Sequence, residues 1–197
     1  MQTVTTGEDG KAAYSLDLPI ANSYYISESQ APYGYVRNSS DVYSFNFNYL
    51  SETTAKATFS HEFVNDRTTA KIHIFKVDKE TGLPVPQGDA TLEGAVYGLY
   101  ARDDIMHPDG ATGVVFKAND LVATMTTDAN GDAEVNNLYL GNYYVKEITP
   151  PEGYLLDEEE HDVVCDYEGD LVAEVSRSTT SKEQVMKQPF QLIKVSD

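Results

Sequence analysis

Apolar residues recur at every second position through most of this chain. That is the period of side chains alternating across a half-buried strand. KIHIFKV (71–77), AVYGLYA (95–101), LVATMTT (121–127), NYYVKEI (142–148), HDVVCDY (161–167) and LVAEVSR (171–177) are short runs of this kind, rich in β-branched and aromatic residues. VYSFNFNYL (42–50) and KATFSHEFV (56–64) alternate in the same way nearer the N-terminus. Between the runs lie DKETG, HPDG, DANGD and PPEG, whose Gly, Pro, Asp and Asn residues suit tight turns. Short strands separated by turns at regular spacing predict an all-β chain built as a β-sandwich. The one helical piece expected lies in an insertion, from MHPDGATG to KAND (106–120).

The pattern repeats. TVTTGEDGKAAYSLDLPIANSYYISESQAPYGY (3–35) matches TMTTDANGDAEVNNLYLGNYYVKEITPPEGY (124–154), a period of about 120 residues. That is domain-sized, too long for a solenoid unit. TTAKIHIFKVD (68–78) recurs, shortened, as PFQLIKVSD (189–197). The chain therefore reads as the C-terminal part of one domain (1–67), a complete domain (68–188) and the first strand of a third (189–197).

Phase raises a chemical question. In YYVKE, Tyr143, Val145 and Glu147 share one strand face; in YYISE, Tyr24, Ile26 and Glu28 do. In KIHIFKVD, Ile72, Ile74 and Lys76 align. If the aliphatic face is the core face, a glutamate is buried in each unit, with a lysine beside it in the second. Buried charges are costly unless paired. Phase alone leaves open a strand whose polar face happens to carry these residues.

Other features narrow the function. The net charge is −18, with 32 Asp and Glu against 14 Lys and Arg, which disfavours nucleic acid as a partner. The single cysteine, Cys165, has no internal disulfide partner; its phase with Val163 makes it strand filler. No apolar run approaches the roughly 18 residues needed to span a membrane. DANGD reads as a hairpin turn and DEEEHD (157–162) as a solvated loop, neither as a metal site. His61, His73, His107 and His161 lack metal-ligand spacing, and LPVPQG (83–88) lacks the threonine of a sortase signal. Nothing points to a cofactor or to turnover of an external substrate.

The combination of K-x-D after an apolar strand with Y-x-[VI]-x-E-x-x-[AP]-P-x-G-Y, and V-N near the first unit's end, resembles the Cna protein B-type domain. These domains are also called SpaA-like or prealbumin-like and occur in Gram-positive surface adhesins and pilins. The resemblance implies an all-β chain of tandem immunoglobulin-like, prealbumin-like β-sandwich domains and, in many members, an internal isopeptide bond. That bond joins a first-strand lysine to a last-strand asparagine or aspartate, assisted by a buried glutamate. Burial would favour the neutral, nucleophilic amine and a glutamate able to shuttle its proton.

Carried onto this sequence, the resemblance implies Glu28 and Asn65 as glutamate and acceptor of the first unit, whose lysine strand is missing. It implies Lys76 and Glu147 as lysine and glutamate of the second. There the expected acceptor position, two before the proline, holds Lys187, so no usual bond is expected, with Asp162 and Asp166 as fallback acceptors. Lys194 takes the lysine position in the third unit, and strand exchange between molecules would set it against Asn65.

The function implied is a structural stalk segment of an extracellular, cell-wall-anchored surface protein or pilin. Sortase would act through signals outside this chain. The alternative is an adhesin module contacting a host or matrix ligand through the insertion at 101–120. An enzyme is not expected, beyond autocatalytic isopeptide formation.

Overall fold

A computed structural model describes residues 2–14, 18–19, 23–49, 51 and 58–195. The chain forms two compact units: residues 1–29 with 38–64, and residues 30–37 with 65–197. Among the described residues every regular element is a strand.

In the first unit, β1 (Ser23–Ser27) pairs antiparallel with β2 (Val42–Asn46), setting Tyr24 opposite Phe45. Their rings stack at 5.7 Å, and Phe59 stacks on Phe45 at 5.2 Å. The run expected as a strand over 56–64 forms none within 58–64; its alternation instead delivers Phe59 and His61 to the rings of β2.

The second unit is a sandwich of two sheets. One orders β10 (Glu160–Cys165), β9 (Gly141–Thr149), β4 (Val96–Ala101) and β7 (Leu121–Thr126), all antiparallel. The other orders β11 (Glu174–Glu183), β3 (Thr69–Asp78) and β8 (Asp132–Leu138). Here β3 and β11 run parallel, so the first and last strands of the unit lie side by side. Ile72, Ile74 and Val175 of one sheet meet Tyr97, Leu99, Tyr143, Val145 and Val163 of the other, all buried. Burying each aliphatic side chain contributes about 1.5–3 kcal/mol. Cys165 joins this core with no exposure, and burial pushes its thiol up to about 11, consistent with filler.

The insertion is not helical. It holds the small hairpin of β5 (Ile105–Met106) and β6 (Val114–Phe116), with Ile105 buried against the core. Asp109 accepts from the backbone of Ala111 and Thr112, a local turn that competes with helix. DANGD makes the β7–β8 hairpin: Asp128 accepts from the backbone of Asn130 and Asp132.

Candidate functional site

Alternation along β3 places Lys76 inward below Ile72 and Ile74, with no solvent exposure. The hairpin at Asp128–Asp132 fixes its backbone, since Lys76 N donates to Gly131 O at 2.8 Å. Gly131 is required there: a Cβ would lie 2.7 Å from Lys76 O. Parallel pairing with β11 sets Lys76 opposite Ser181 and Asp78 opposite Glu183. Ser181 and Glu183 share the inward phase of Val175. From the facing sheet come Tyr97 and Glu147, cross-strand neighbours on β4 and β9.

These side chains converge between the sheets. Lys76 Nζ contacts Glu183 Oε2 directly and lies 3.6 Å from Glu147 Oε1. All three side chains are fully buried. Glu147 Oε2 accepts the Asp157 N–H at 2.8 Å, leaving Oε1 to face the amine. Glu183 Oε1 accepts the Tyr97 hydroxyl at 2.6 Å. Ser181 Oγ lies 3.3 Å from the same oxygen and 3.0 Å from Asp157 Oδ2, which also meets His161 Nε2 at 3.1 Å.

The PPEGY turn closes the site. Tyr154 sets its ring 4.9 Å from Lys76 Nζ and donates to Asp78 Oδ2 at 3.1 Å. Gly153, at φ +85°, passes so near Ala90 that a Cβ would fall 2.5 Å from that residue's Cβ. Asp78, the acid of K-x-D, also accepts from the backbone of Glu80 and Thr81 and from Gln87 Nε2.

Protonation follows from these surroundings. Burial lowers the Lys76 amine to about 8, although Glu147 opposes the shift. Burial raises the Glu147 carboxyl above its ordinary value, against hydrogen bonding from Asp157 N–H and the charge of Lys76. Burial also drives the Tyr97 phenol upward, so it stays protonated and can donate. Burial would raise Asp78 as well, but its hydrogen bonds from Thr81, Gln87 and Tyr154 outweigh that and hold it at about 2.

The structure brings Lys76 and Glu147 together but puts Lys187 elsewhere. Lys187 is exposed on the surface, with its Nζ 2.6 Å from both carboxylate oxygens of Glu80. The position counted back from the proline falls outside the last strand, because β11 ends at Glu183, before the proline segment. Asp162 pairs with Arg102 at the surface, and Asp166 is exposed. Among the other candidates, Glu28 is half-buried just after β1, Asn65 is half-buried ahead of β3, and Lys194 is exposed outside any strand. Sequence reasoning did not single out Glu183, which the structure places against Lys76, because only Asn and Asp were considered at that position. It read Asp157 as part of a solvated loop, yet its backbone holds Glu147. Tyr97 carried no signal beyond an apolar strand position.

The family model for the SpaA prealbumin-like fold domain matches residues 1–62 and 70–179. The chain belongs to this family. Among solved structures it resembles the Bacillus anthracis TIE protein at 26% identity and a TM-score of 0.64, covering 93% of this chain and 28% of that one. It also matches the group B streptococcus pilus 2b backbone protein, at 23% identity and a TM-score of 0.41, over 62% of this chain and 43% of that one. GBS52, the minor pilin of Streptococcus agalactiae, matches at 19% identity and 0.40, over 96% and 70% respectively. The chain thus spans less than half the length of the first two structures. No curated protein matches it. No helix among the described residues is long and apolar enough to cross a membrane.

Proposed function

We propose that this chain is a load-bearing segment of a bacterial surface pilus or adhesin, and that its SpaA-type sandwich is closed by an amide bond between Lys76 and Glu183. The carrying observation is the fully buried contact of Lys76 with Glu183, with Glu147 facing the same amine. The bond would tie β3 to β11, the first and last strands of the unit, so tension along the chain would reach the sandwich without peeling either strand.

The chemistry balances with no external reagent. Neutral Lys76 Nζ attacks Cδ of protonated Glu183, and an N–C bond forms. Glu147 takes a proton from the nitrogen and passes it to the departing hydroxyl. The Cδ–Oε2 bond breaks, one water leaves and the amide remains. Fixed geometry and a depressed amine pKa supply what a free lysine and carboxylate lack. Intact mass tests this: the chain should weigh about 18 Da less than its formula, and Lys76→Ala should restore the formula mass. A wild-type chain at full formula mass would sink the crosslink.

Assembly with neighbours is supported by residues 189–195, where Phe190, Leu192, Ile193 and Val195 are all exposed. Such a segment suits strand addition to an adjoining domain, in the same or another molecule, with Lys194 entering the lysine position. A purely monomeric chain at high concentration, unchanged by deleting 189–197, would count against exchange between molecules. The adhesive reading is favoured by the hairpin of β5 and β6, which exposes Met106 and Val114. Loss of binding to a matrix-protein array on replacing 106–114 with a short turn would support it.

A further inference from the structure

Glu183 presents two chemically distinct oxygens, and the protein treats them differently. Oε2 contacts Lys76, while Oε1 receives the Tyr97 hydroxyl at 2.6 Å, with Ser181 Oγ at 3.3 Å. Tyr97 has no solvent exposure, so its hydrogen bond operates without competing water. The geometry points to Tyr97 as an oxyanion-stabilising donor that makes Oε1 the retained carbonyl oxygen and Oε2 the departing one. This rests on the Lys76–Glu183 reading above.

When Nζ adds to Cδ, negative charge develops on Oε1. A donor already aimed at that oxygen stabilises the tetrahedral state more than the starting acid. Tyr97 reaches it from the facing sheet: its register partner is Glu147, so one cross-strand pair supplies both the proton carrier and the oxyanion donor. Ser181, opposite Lys76 on the neighbouring strand, flanks the same oxygen at 3.3 Å, but its single hydroxyl proton has a nearer acceptor in Asp157 Oδ2 at 3.0 Å. The Tyr97 hydroxyl meets Oε1 while the amine meets Oε2, so donor and nucleophile approach different oxygens. After reaction, the amide oxygen keeps the Tyr97 bond and the amide N–H faces Glu147 Oε1, so no buried group is orphaned.

The test follows bond formation by intact mass after cell-free synthesis, alongside circular dichroism. Wild type should convert to the lighter species. Tyr97→Phe should fold but convert about 100-fold more slowly, and Ser181→Ala should slow conversion less. If wild type never loses mass, the crosslink itself fails, separately from the role of Tyr97. If Tyr97→Phe folds and converts within about threefold of wild type, Tyr97 is not the donor. If Tyr97→Phe fails to fold, fluorotyrosine at position 97 decides. Its more acidic hydroxyl should speed conversion, and an unchanged rate would overturn the assignment.

Discussion

Glu183 and Asn65 occupy the same place in the two repeats. Tyr154 bridges to Val185, and Tyr35 bridges to Arg67; each acceptor candidate lies two residues before the bridge. The flanking backbone bonds repeat too: Met186 N donates to Gly153 O and Thr68 N to Gly34 O, both at 2.8 Å. The glutamate therefore sits where the other repeat carries an asparagine, with one more methylene to reach the lysine. If that correspondence is chemical, an amide should serve at 183 as well. Glu183→Gln should still crosslink, losing ammonia (about 17 Da) in place of water and ending at the same mass as crosslinked wild type. Glu183→Ala should stay at its formula mass. A Glu183→Gln chain that remains uncrosslinked while wild type reacts would show that a carboxyl is required.

Glu147 should be essential for the bond but not for the fold. In Glu147→Gln the side-chain oxygen can still accept the Asp157 N–H, so the local turn survives, but the proton carrier is gone. Bond formation should fall by about 10²–10⁴. The uncrosslinked chain should also report what the bond contributes. Closing a loop of roughly a hundred residues stabilises by about 4–5 kcal/mol, a melting difference of roughly 10–20 °C. Calorimetry on wild type and Glu147→Gln measures it; equal melting temperatures alongside different masses would show that the bond adds no stability.

The pH dependence of the reaction has a defined sign. The reactive arrangement holds one proton among three groups: Lys76 neutral, Glu183 protonated, Glu147 charged. The resting ion-paired arrangement also holds one, so the rate should be level while that count persists. It should fall above about 8, where the depressed Lys76 gives up its proton and the site is left with none. It should fall again on the acid side, below the raised pKa of Glu147, where a second proton enters and locks the amine as ammonium. Tyr154 presents only its ring to the amine and stays neutral throughout, its phenol raised to about 12. Conversion rates at pH 5 to 10 check this; an alkaline limb near the ordinary lysine value would mean Lys76 reacts from a solvated state.

Asp78 gives a stability prediction of the opposite kind. Its pKa is about 2 in the folded chain, below the ordinary 3.8. Its contribution is therefore complete above about pH 4 and lost as pH falls through about 2. Asp78→Asn should flatten that part of the acid-stability curve. Asp78→Ala, which strips acceptors from Tyr154, Gln87 and two backbone amides, should cost about 3 kcal/mol at neutral pH. Denaturant titrations at several pH values separate the two; an acid limb unchanged in Asp78→Asn would assign that limb to other carboxylates.

How much of this was legible in the sequence follows from which strands announce themselves. Ile72, Ile74 and Lys76 share a phase, as do Tyr143, Val145 and Glu147; the sequence left open whether those faces are buried, and the sandwich buries both. β11 announced only its start: the run LVAEVSR overlaps its first four residues, and the half that carries Ser181 and Glu183 gave no signal. In EVSRSTTSKE the inward positions are Val175, Arg177, Thr179, Ser181 and Glu183, so one aliphatic residue must mark a whole core face. A strand that pairs with the first strand and buries polar side chains, Ser181 and Glu183, in place of apolar packing leaves little hydrophobic period to read there. Tyr97 failed for the opposite reason: it looks like ordinary core, and only the cross-sheet approach of Glu183 reveals what its hydroxyl does.

The glycine of the motif was legible as a turn residue, but its strict requirement comes from packing. At φ +85° an L side chain is already strained at Gly153, and its Cβ would lie 2.5 Å from Ala90 Cβ and 2.9 Å from Ala90 Cα. Gly153→Ala should therefore destabilise by about 2–3 kcal/mol, combining backbone strain with overpacking. The two parts can be separated. Ala90→Gly removes the nearer clash and leaves the backbone conformation untouched, so the double variant should recover part of the loss, on the order of 1 kcal/mol, and keep the rest. Because Tyr154 follows directly and roofs Lys76, the single variant should also slow crosslinking, and the double variant should restore some of that rate. Denaturant midpoints and mass conversion on the three variants check it. Full additivity of the two substitutions would mean that the Gly153–Ala90 approach is not what makes the glycine necessary.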